Sequence, residues 1–242
     1  MTSRDVRATT AGVLFIVATV AALLTAPLLG SLLDGDGFLS GVATHQTRLQ
    51  MAALLQIVAA LSIPGIAIAL YPVLRQRAAA MAMGSVAFRL IEGAFMALSA
   101  AGVLVLVSMS DQLATDGTTS AAAASSANLM RDLRDSAGVV SGLAFCTGAT
   151  LYYVVFYRSQ LIPRWLSGWG LVGTGLGFLS ELLVLFQLVG ALSGAQMTLN
   201  IPIAIQEMVF AVWLIWKGFN VPSTSPAPTL HSQPLVGATE RS

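Results

Sequence analysis

The sequence predicts an all-α protein that crosses a membrane six times, and three observations support this. Of the 242 residues, 56% are hydrophobic and only 10% are charged, whereas soluble domains carry about 25% charged residues. The apolar residues gather into six stretches, each long enough to cross about 30 Å of hydrocarbon at about 1.5 Å per helical residue. Basic residues alternate between rich and poor connections, as expected of a chain threaded back and forth through a membrane.

Turn-forming and polar segments set the limits of the six predicted spans. The spans are residues 10–33, 50–74, 80–108, 136–158, 164–190 and 196–217, within a transmembrane domain of residues 10–220. Residues 110–126 are predicted to form the longest polar loop. Residues 1–9 form a cytoplasmic N-terminus, and the Pro-, Ser- and Thr-rich residues 221–242 are predicted to be a disordered cytoplasmic tail.

The first apolar stretch follows two arginines, as in a secretory signal peptide. It is longer than the 7–15 residues of a signal-peptide core, so we interpret it as an uncleaved first transmembrane helix. The single cysteine, Cys146, falls inside the fourth stretch and is expected to pack as a small apolar side chain.

Arginine and lysine predict the orientation of the spans, because the cytoplasmic ends of membrane helices carry an excess of these residues. One side collects Arg4, Arg7, Arg75, Arg77, Arg158, Arg164, Lys217 and Arg241, and the other collects Arg48, Arg131 and Arg134. The larger group marks the cytoplasmic side, so both termini are predicted to be cytoplasmic. All Trp and Tyr residues fall at or near the same predicted ends, which indicates a one-sided belt of interfacial anchors.

Small residues predict where helices approach closely, because close backbone contact is a main source of helix association in lipid. Gly138 and Gly142 are one turn apart on the fourth span, and Gly173 and Gly177 are one turn apart on the fifth. We expect these pairs to form packing faces, within the chain or between copies of it in a homo-oligomer. The alternative is that glycine is simply common in membrane helices.

Charged residues inside the apolar spans are the strongest functional signal. Arg89 and Glu92 are three residues apart in the third span and so share one helix face. Glu207 lies ten residues before Lys217 in the sixth span, about 15 Å from the cytoplasmic end, which is nearly the depth of Arg89. Gln206 is adjacent but points about 100° away around the helix. Glu181 lies in the outer part of the fifth span, within predicted reach of Arg48, Arg131 or His45.

A charge in the bilayer is costly, so these residues are expected to pair inside the bundle. One base and three acids lie deep, so carboxyl groups that Arg89 does not pair need another partner or a proton. We hypothesise that Arg89, Glu92 and Glu207 form one buried cluster that holds at least one proton. The alternative is that a buried ion pair serves only to fix the helix register, and that Glu181 is a simple interfacial pair.

Four segments resemble a bacterial membrane family catalogued as domain of unknown function DUF 4386. They are "ALYPVLRQ" (69–76), "FRLIEG" (88–93), "LYYVVFYRSQLIPRWLSGWGLVG" (151–173) and "PIAIQEMVFAVWLIWKGFN" (202–220). The resemblance covers roughly residues 8–220 and implies a six-helix integral protein of the bacterial cytoplasmic membrane. It supports Arg89, Glu92, Gln206 and Glu207 as site residues and implies no particular reaction.

Three classes of function are compatible with the sequence. The first, which we favour, is binding or transport of a small molecule, ion or proton at Arg89, Glu92, Glu207, Gln206 and Glu181. The second is a structural or sensory accessory subunit, and the third is a membrane-embedded enzyme. With two His residues and no HExxH or GxSxG motif, the chain has few groups for metal or nucleophilic catalysis, so no cofactor, metal or catalytic residue is predicted. A net charge of +1 offers no footprint for nucleic acid.

Overall fold

The protein is all-helical throughout the part that the computed structural model describes, which is residues 3–30, 32–33, 35, 38–116, 121–191 and 193–220. The helices are α1 (Ser3–Leu29), α2 (Phe38–Thr44), α3 (Gln46–Leu74), α4 (Ala79–Asp116), α5 (Ala121–Ser159), α6 (Arg164–Leu185) and α7 (Gly194–Trp216). All except the short α2 are long and apolar enough to cross a membrane. The predicted six-span membrane fold is therefore confirmed, while the side on which the termini lie stays a prediction.

The six long helices form a closed ring in chain order. Each long helix packs against the next one in the sequence, and α7 also packs against α1. Short connections make successive helices antiparallel, so the starts of α1, α4 and α6 lie at the same end as the finishes of α3, α5 and α7. We call this the basic end, because Arg75, Arg77, Arg158, Arg164 and Lys217 lie there. The other end is the opposite end.

Several helix limits differ from the predicted span limits. The predicted loop at 110–126 is largely helical, since α4 continues to Asp116 and α5 begins at Ala121. The alanines of 121–124 are strong helix formers, so the helix extends beyond the apolar part of the sequence. α1 ends at Leu29 rather than at residue 33, and α6 ends at Leu185 rather than at 190. The predicted disordered tail lies outside the described residues.

Two separate apolar cores hold the ring together. The core at the basic end is rich in aromatic residues, with edge-on and tilted ring contacts among Phe15, Tyr152, Tyr153, Phe156 and Phe210. The core at the opposite end joins the ends of α1, α3 and α4 to the unpredicted helix α2 through Leu29, Phe38, Val42, Leu49 and Leu106. Thus Tyr152 and Tyr153 are fully buried and do not belong to the predicted interfacial belt.

The glycine predictions are confirmed on α6 and partly wrong on α5. A Cβ at Gly173 would lie 3.1 Å from Ile203 of α7, and one at Gly177 would lie 3.1 Å from the Cys146 sulfur. Gly142 faces the Glu181 side chain closely. Gly138, in contrast, has no atom within 4 Å of its Cβ position, so it does not form a packing face. The homo-oligomer through these glycines stays a prediction.

Candidate functional site

Arg89 and Glu92 form a buried ion pair on one face of α4. Arg89 is only 2% exposed and Glu92 only 4%. The Arg89 Nη1 donates hydrogen bonds to both oxygens of the Glu92 carboxylate, at 3.1 Å to Oε1 and 2.9 Å to Oε2. The spacing of three residues places the two side chains together, as the sequence predicted.

Glu207 joins this pair from the other side of the ring. The Arg89 Nη2 lies 3.5 Å from Glu207 Oε1 and donates a 2.8 Å hydrogen bond to the Tyr152 hydroxyl. The Thr19 hydroxyl of α1 donates to Glu207 Oε2 at 3.2 Å. Helices α1, α4, α5 and α7 therefore meet at one charged cluster, which we define as Arg89, Glu92 and Glu207. Its formation confirms the geometric part of the sequence hypothesis.

Aromatic rings enclose the guanidinium of Arg89. Its central carbon Cζ lies 4.9 Å from the ring centroid of Phe145, 5.3 Å from that of Tyr152 and 5.8 Å from that of Phe15. Such contacts favour a cation over each ring face. The Arg89 Nε has no hydrogen-bond partner among the described residues. The guanidinium is thus held from several sides.

A cavity of about 390 Å³ lies against the charged cluster, inside the ring. Arg89, Glu92, Glu207 and Thr19 contribute to the polar part of its wall, together with Ser99, Ser141, Glu181 and Asn200. Much of the remaining wall is apolar and includes Ala18, Ile63, Ile66, Met96, Phe145 and Ala204. The Gln56 side chain also faces it, and the buried Gln56 Oε1 accepts no hydrogen bond from the described part of the chain. A polar acceptor left open beside a cavity is available to a ligand or to water.

A second cavity, of about 210 Å³, continues from the first toward the opposite end. The two share wall residues, among them Gln56, Met96, Ser99, Gly138 and Glu181. The second cavity also reaches Arg134 and Asp135 of α5 and Ala191 in the α6–α7 connection. Together they form a path between the charged cluster and the opposite end, and we call the two cavities the chamber.

Helix geometry gives the depth of the polar groups along the chamber. Glu207 lies nine residues before Trp216, which is about 14 Å from the basic end. Glu181 lies seventeen residues after Arg164, about 25 Å from the same end. Arg134 lies about 37 Å along α5 from Ser159, in register with the opposite end. The chamber therefore places ionisable groups at three levels.

Glu181 has a different partner from the predicted ones. It is 8% exposed, lines both cavities and accepts a long hydrogen bond of 3.5 Å from the Gln196 Nε2. The predicted partners are engaged elsewhere. Arg48 donates to the Pro27 carbonyl, Arg131 to the carbonyls of Leu33 and Gly35, and the His45 ring contacts Thr44 and Gly41. Glu181 forms no ion pair with a basic residue of the described ranges.

Gln206 is buried but stands apart from the chamber. Its Oε1 accepts a hydrogen bond of 2.5 Å from the Tyr153 hydroxyl, and its Nε2 donates to the Leu166 carbonyl at 3.1 Å. It therefore links α7 to α5 and to the start of α6. Gln206 lies at nearly the same depth as the charged cluster, because it is one residue farther than Glu207 from Trp216. The aromatic core lies between the chamber and the basic end.

Sequence reasoning missed Thr19, Gln56, Phe145 and Tyr152 as residues of the site. Threonine and phenylalanine are ordinary in membrane helices, and their periodicity in α1 and α5 does not distinguish an inward face. Tyr152 lies six residues before Arg158, about 9 Å inside the predicted span end, and this position is the available signal. Gln56 is detectable as an amide inside a long apolar stretch.

The wall of the chamber combines a few polar and ionisable groups with an otherwise apolar lining. In the described part of the chain, no group of three or more His, Cys, Asp or Glu side chains comes together as metal ligands. The charged cluster combines one guanidinium with two carboxyl groups, and Glu181 adds a third carboxyl group nearer the opposite end. These groups can hold a cation, a proton or a hydrogen-bonding molecule.

Fold and chamber together define an integral, multi-pass membrane protein with ionisable groups inside its helix bundle. The family model described as "Domain of unknown function (DUF4386)" matches residues 10–218, and the chain belongs to this family. No curated protein and no solved structure matches the chain.

Proposed function

We propose that this protein binds a small molecule, ion or proton in the chamber and carries it across the bacterial cytoplasmic membrane. One observation carries the proposal. The charged cluster of Arg89, Glu92 and Glu207 is not enclosed in packed protein but borders a cavity of about 390 Å³. Ionisable groups inside membrane helices are costly and face functional sites or partners, and ligand pockets have volumes of about 300–1,000 Å³.

The alternative of purely structural ion pairing accounts for only part of the cluster. Arg89 and Glu92 are close and well aligned, as a register-fixing pair would be. Glu207 is more weakly held, at 3.5 Å from Arg89, and Glu181 has no cationic partner among the described residues. Carboxyl groups placed beside a cavity without full internal pairing favour a ligand or proton site.

The unequal closure of the two ends supports transport rather than simple binding. At the basic end the aromatic core closes the bundle, and the Tyr153–Gln206 hydrogen bond joins α5 to α7 beside it. At the other end the chamber reaches the α6–α7 connection at Ala191. A transporter that alternates its access needs a site that is reached from one side at a time. We propose that the basic end is cytoplasmic, because of its excess of Arg and Lys.

Native mass spectrometry of the protein extracted in mild detergent tests this proposal. We expect a reproducible bound mass, or bound masses of one chemical class, that is lost in Glu207→Gln. The matched control is Asp132→Asn, which removes a carboxylate whose side chain is 69% exposed and outside the chamber. Flux of protons into proteoliposomes is measured in parallel, because a bound proton gives no distinguishable bound mass. The proposal is overturned if the protein shows no bound mass and also no Glu207-dependent flux.

A further inference from the structure

We infer that the cargo is a small organic cation with an apolar body, which Glu181 and Glu207 hold inside the chamber. This inference rests on the proposed function and names its substrate class. It follows from the balance of charge on the chamber wall, from the enclosure of Arg89, and from the size and apolarity of the cavity.

The charge balance of the chamber wall is negative. The larger cavity is lined by one cation, Arg89, and by three carboxyl groups, those of Glu92, Glu181 and Glu207. Arg134 and Asp135, on the wall of the smaller cavity, pair with each other at 2.5 Å and add no net charge. If the three carboxyl groups are ionised, the wall carries two uncompensated negative charges. In an apolar surrounding such charges require cations or protons.

Arg89 is unsuited to bind an anionic cargo. Its guanidinium already donates to Glu92, to Glu207 and to the Tyr152 hydroxyl, and its faces lie near three aromatic rings. Its side chain is only 3% exposed. An anion that enters the chamber from the opposite end would pass the Arg134–Asp135 pair and then meet the carboxyl groups of Glu181 and Glu207. Repulsion by these groups disfavours anions, and this discrimination against the wrong charge is a common basis of specificity.

The dimensions of the chamber favour an organic cation over a metal ion. A metal ion such as Ca²⁺ or Mg²⁺ is held by a compact shell of about six or more oxygens. Glu181 and Glu207 instead lie at different depths, about 25 Å and about 14 Å from the basic end, so they are separated by about 11 Å along the bundle. Between them the wall is formed in part by Ile63, Met96, Phe145 and Ile203. Such a wall fits an apolar body with a charged group.

Glu181 is the residue expected to confer the preference for a cation. It lies where the two cavities meet, with its carboxyl group beside Gly142, and it accepts a hydrogen bond of 3.5 Å from Gln196. Gln56 Oε1, which accepts no hydrogen bond among the described residues, faces both cavities and offers a second acceptor. Both groups attract a positive or hydrogen-donating ligand.

The test compares three probes of similar shape and different charge. The probes are phenyltrimethylammonium, its neutral isostere tert-butylbenzene, and benzenesulfonate, each titrated by calorimetry into the full-length protein in nanodiscs. We expect the cation to bind best and the anion not to bind. Glu181→Gln should weaken cation binding by about tenfold or more and leave the neutral isostere unchanged. Asp132→Asn, outside the chamber, should leave all three unchanged.

The outcomes separate this inference from the proposed function. Equal binding of the cation and the neutral isostere, or unchanged cation affinity in Glu181→Gln, overturns the inference. If binding or flux still depends on Glu207 in that case, the proposed function stands and only the inference of an organic cation is rejected. Binding of benzenesulfonate alone also overturns the inference. If Glu181→Gln does not fold, Glu181→Asp keeps the charge, and it must retain the preference for the cation over tert-butylbenzene.

Discussion

The Arg89 Nη2 and the Glu207 Oε1 lie 3.5 Å apart across the interior of the ring, although 118 positions separate them in the sequence. They belong to α4 and α7, which are not adjacent in the ring. The interaction therefore connects helices on opposite sides of the bundle, next to the cavity. A motion that opens the basic end would have to alter this contact, because α7 also forms the wall there.

Replacing Arg89 by methionine should lower the free energy of unfolding by about 3–5 kcal/mol, because it leaves buried carboxyl groups without their cation. The measurement is SDS-induced unfolding in micelles, followed by far-UV circular dichroism. Arg77→Met, at an exposed position between α3 and α4, is the control for loss of an arginine. The triple variant Arg89→Met/Glu92→Gln/Glu207→Gln should recover much of the loss. Wild-type stability of Arg89→Met would contradict the buried cluster.

Glu92 and Glu207 should differ in what they contribute. Glu92 accepts two hydrogen bonds from Arg89, at 2.9 and 3.1 Å, while Glu207 receives one at 3.5 Å and one from Thr19. Glu92→Gln should therefore reduce stability more than Glu207→Gln does. Glu207→Gln should have the larger effect on ligand binding or flux. The reverse order in both assays would mean that the structural and functional roles are exchanged.

The sequence predicted the charged cluster because depth in a membrane can be calculated. Arg89, Glu92 and Glu207 were placed at one level from the helical rise and from the basic residues at the span ends, and the structure brings them together. The sequence does not predict which face of each helix points into the bundle. Apolar residues face both lipid and the bundle interior, so periodicity does not mark the inward side as it does in a soluble helix.

The same limit explains the errors at Gly138 and Tyr152. The spacing of Gly138 and Gly142 predicts a packing face, yet Gly138 borders the chamber because α5 faces inward there. Tyr152 lies near a span end, which predicts a position at the membrane interface. Its hydroxyl instead accepts a hydrogen bond from Arg89, because this part of α5 faces the bundle interior. For Glu181, proximity along the membrane normal predicts Arg48, Arg131 or His45 as a partner, but depth alone does not determine the direction of a side chain around its helix.

Tyr153→Phe should lower the free energy of unfolding by about 1–3 kcal/mol, because it leaves the buried Gln206 Oε1 without its donor. The control is Tyr157→Phe, since Tyr157 is 43% exposed. Chemical unfolding in detergent measures both. If the hydrogen bond also helps to close the basic end, proton leak through proteoliposomes should rise in Tyr153→Phe. Equal stability of the two variants would remove Gln206 as a link between helices.

The contact between α1 and α7 that closes the ring depends on Gly12. A Cβ there would lie 2.6 Å from the Ala211 carbonyl oxygen and 2.7 Å from an Ile215 side-chain atom. Gly12→Ala should therefore cost about 1–3 kcal/mol through overpacking, despite the better helix propensity of alanine. Gly175→Ala is the matched control, because its Cβ position has no atom within 4 Å, and it should gain up to about 1 kcal/mol. Thermal unfolding of both variants in one detergent decides whether α1 and α7 are in close contact.

Single cysteines offer a direct measure of access to the chamber. Cys146 is the only cysteine, and it is buried, so Cys146→Ala gives an unreactive background. Gly138→Cys in this background places a thiol on the chamber wall, where its Cβ has free space. Gly175→Cys has equal space around it but lies outside the chamber, at an exposed position of α6. It is expected to face lipid, where a polar maleimide does not reach it.

In intact cells, a membrane-impermeant maleimide should label Gly138→Cys and leave Gly175→Cys unlabelled. This follows from a chamber that opens at the opposite end, together with a cytoplasmic basic end predicted by its Arg and Lys residues. Phenyltrimethylammonium should slow the labelling if it occupies the chamber. Labelling of Gly138→Cys only after the cells are opened would place the opposite end in the cytoplasm and reverse the topology. Absence of labelling in both conditions would mean that water does not reach the chamber, and the transport proposal would lose its route.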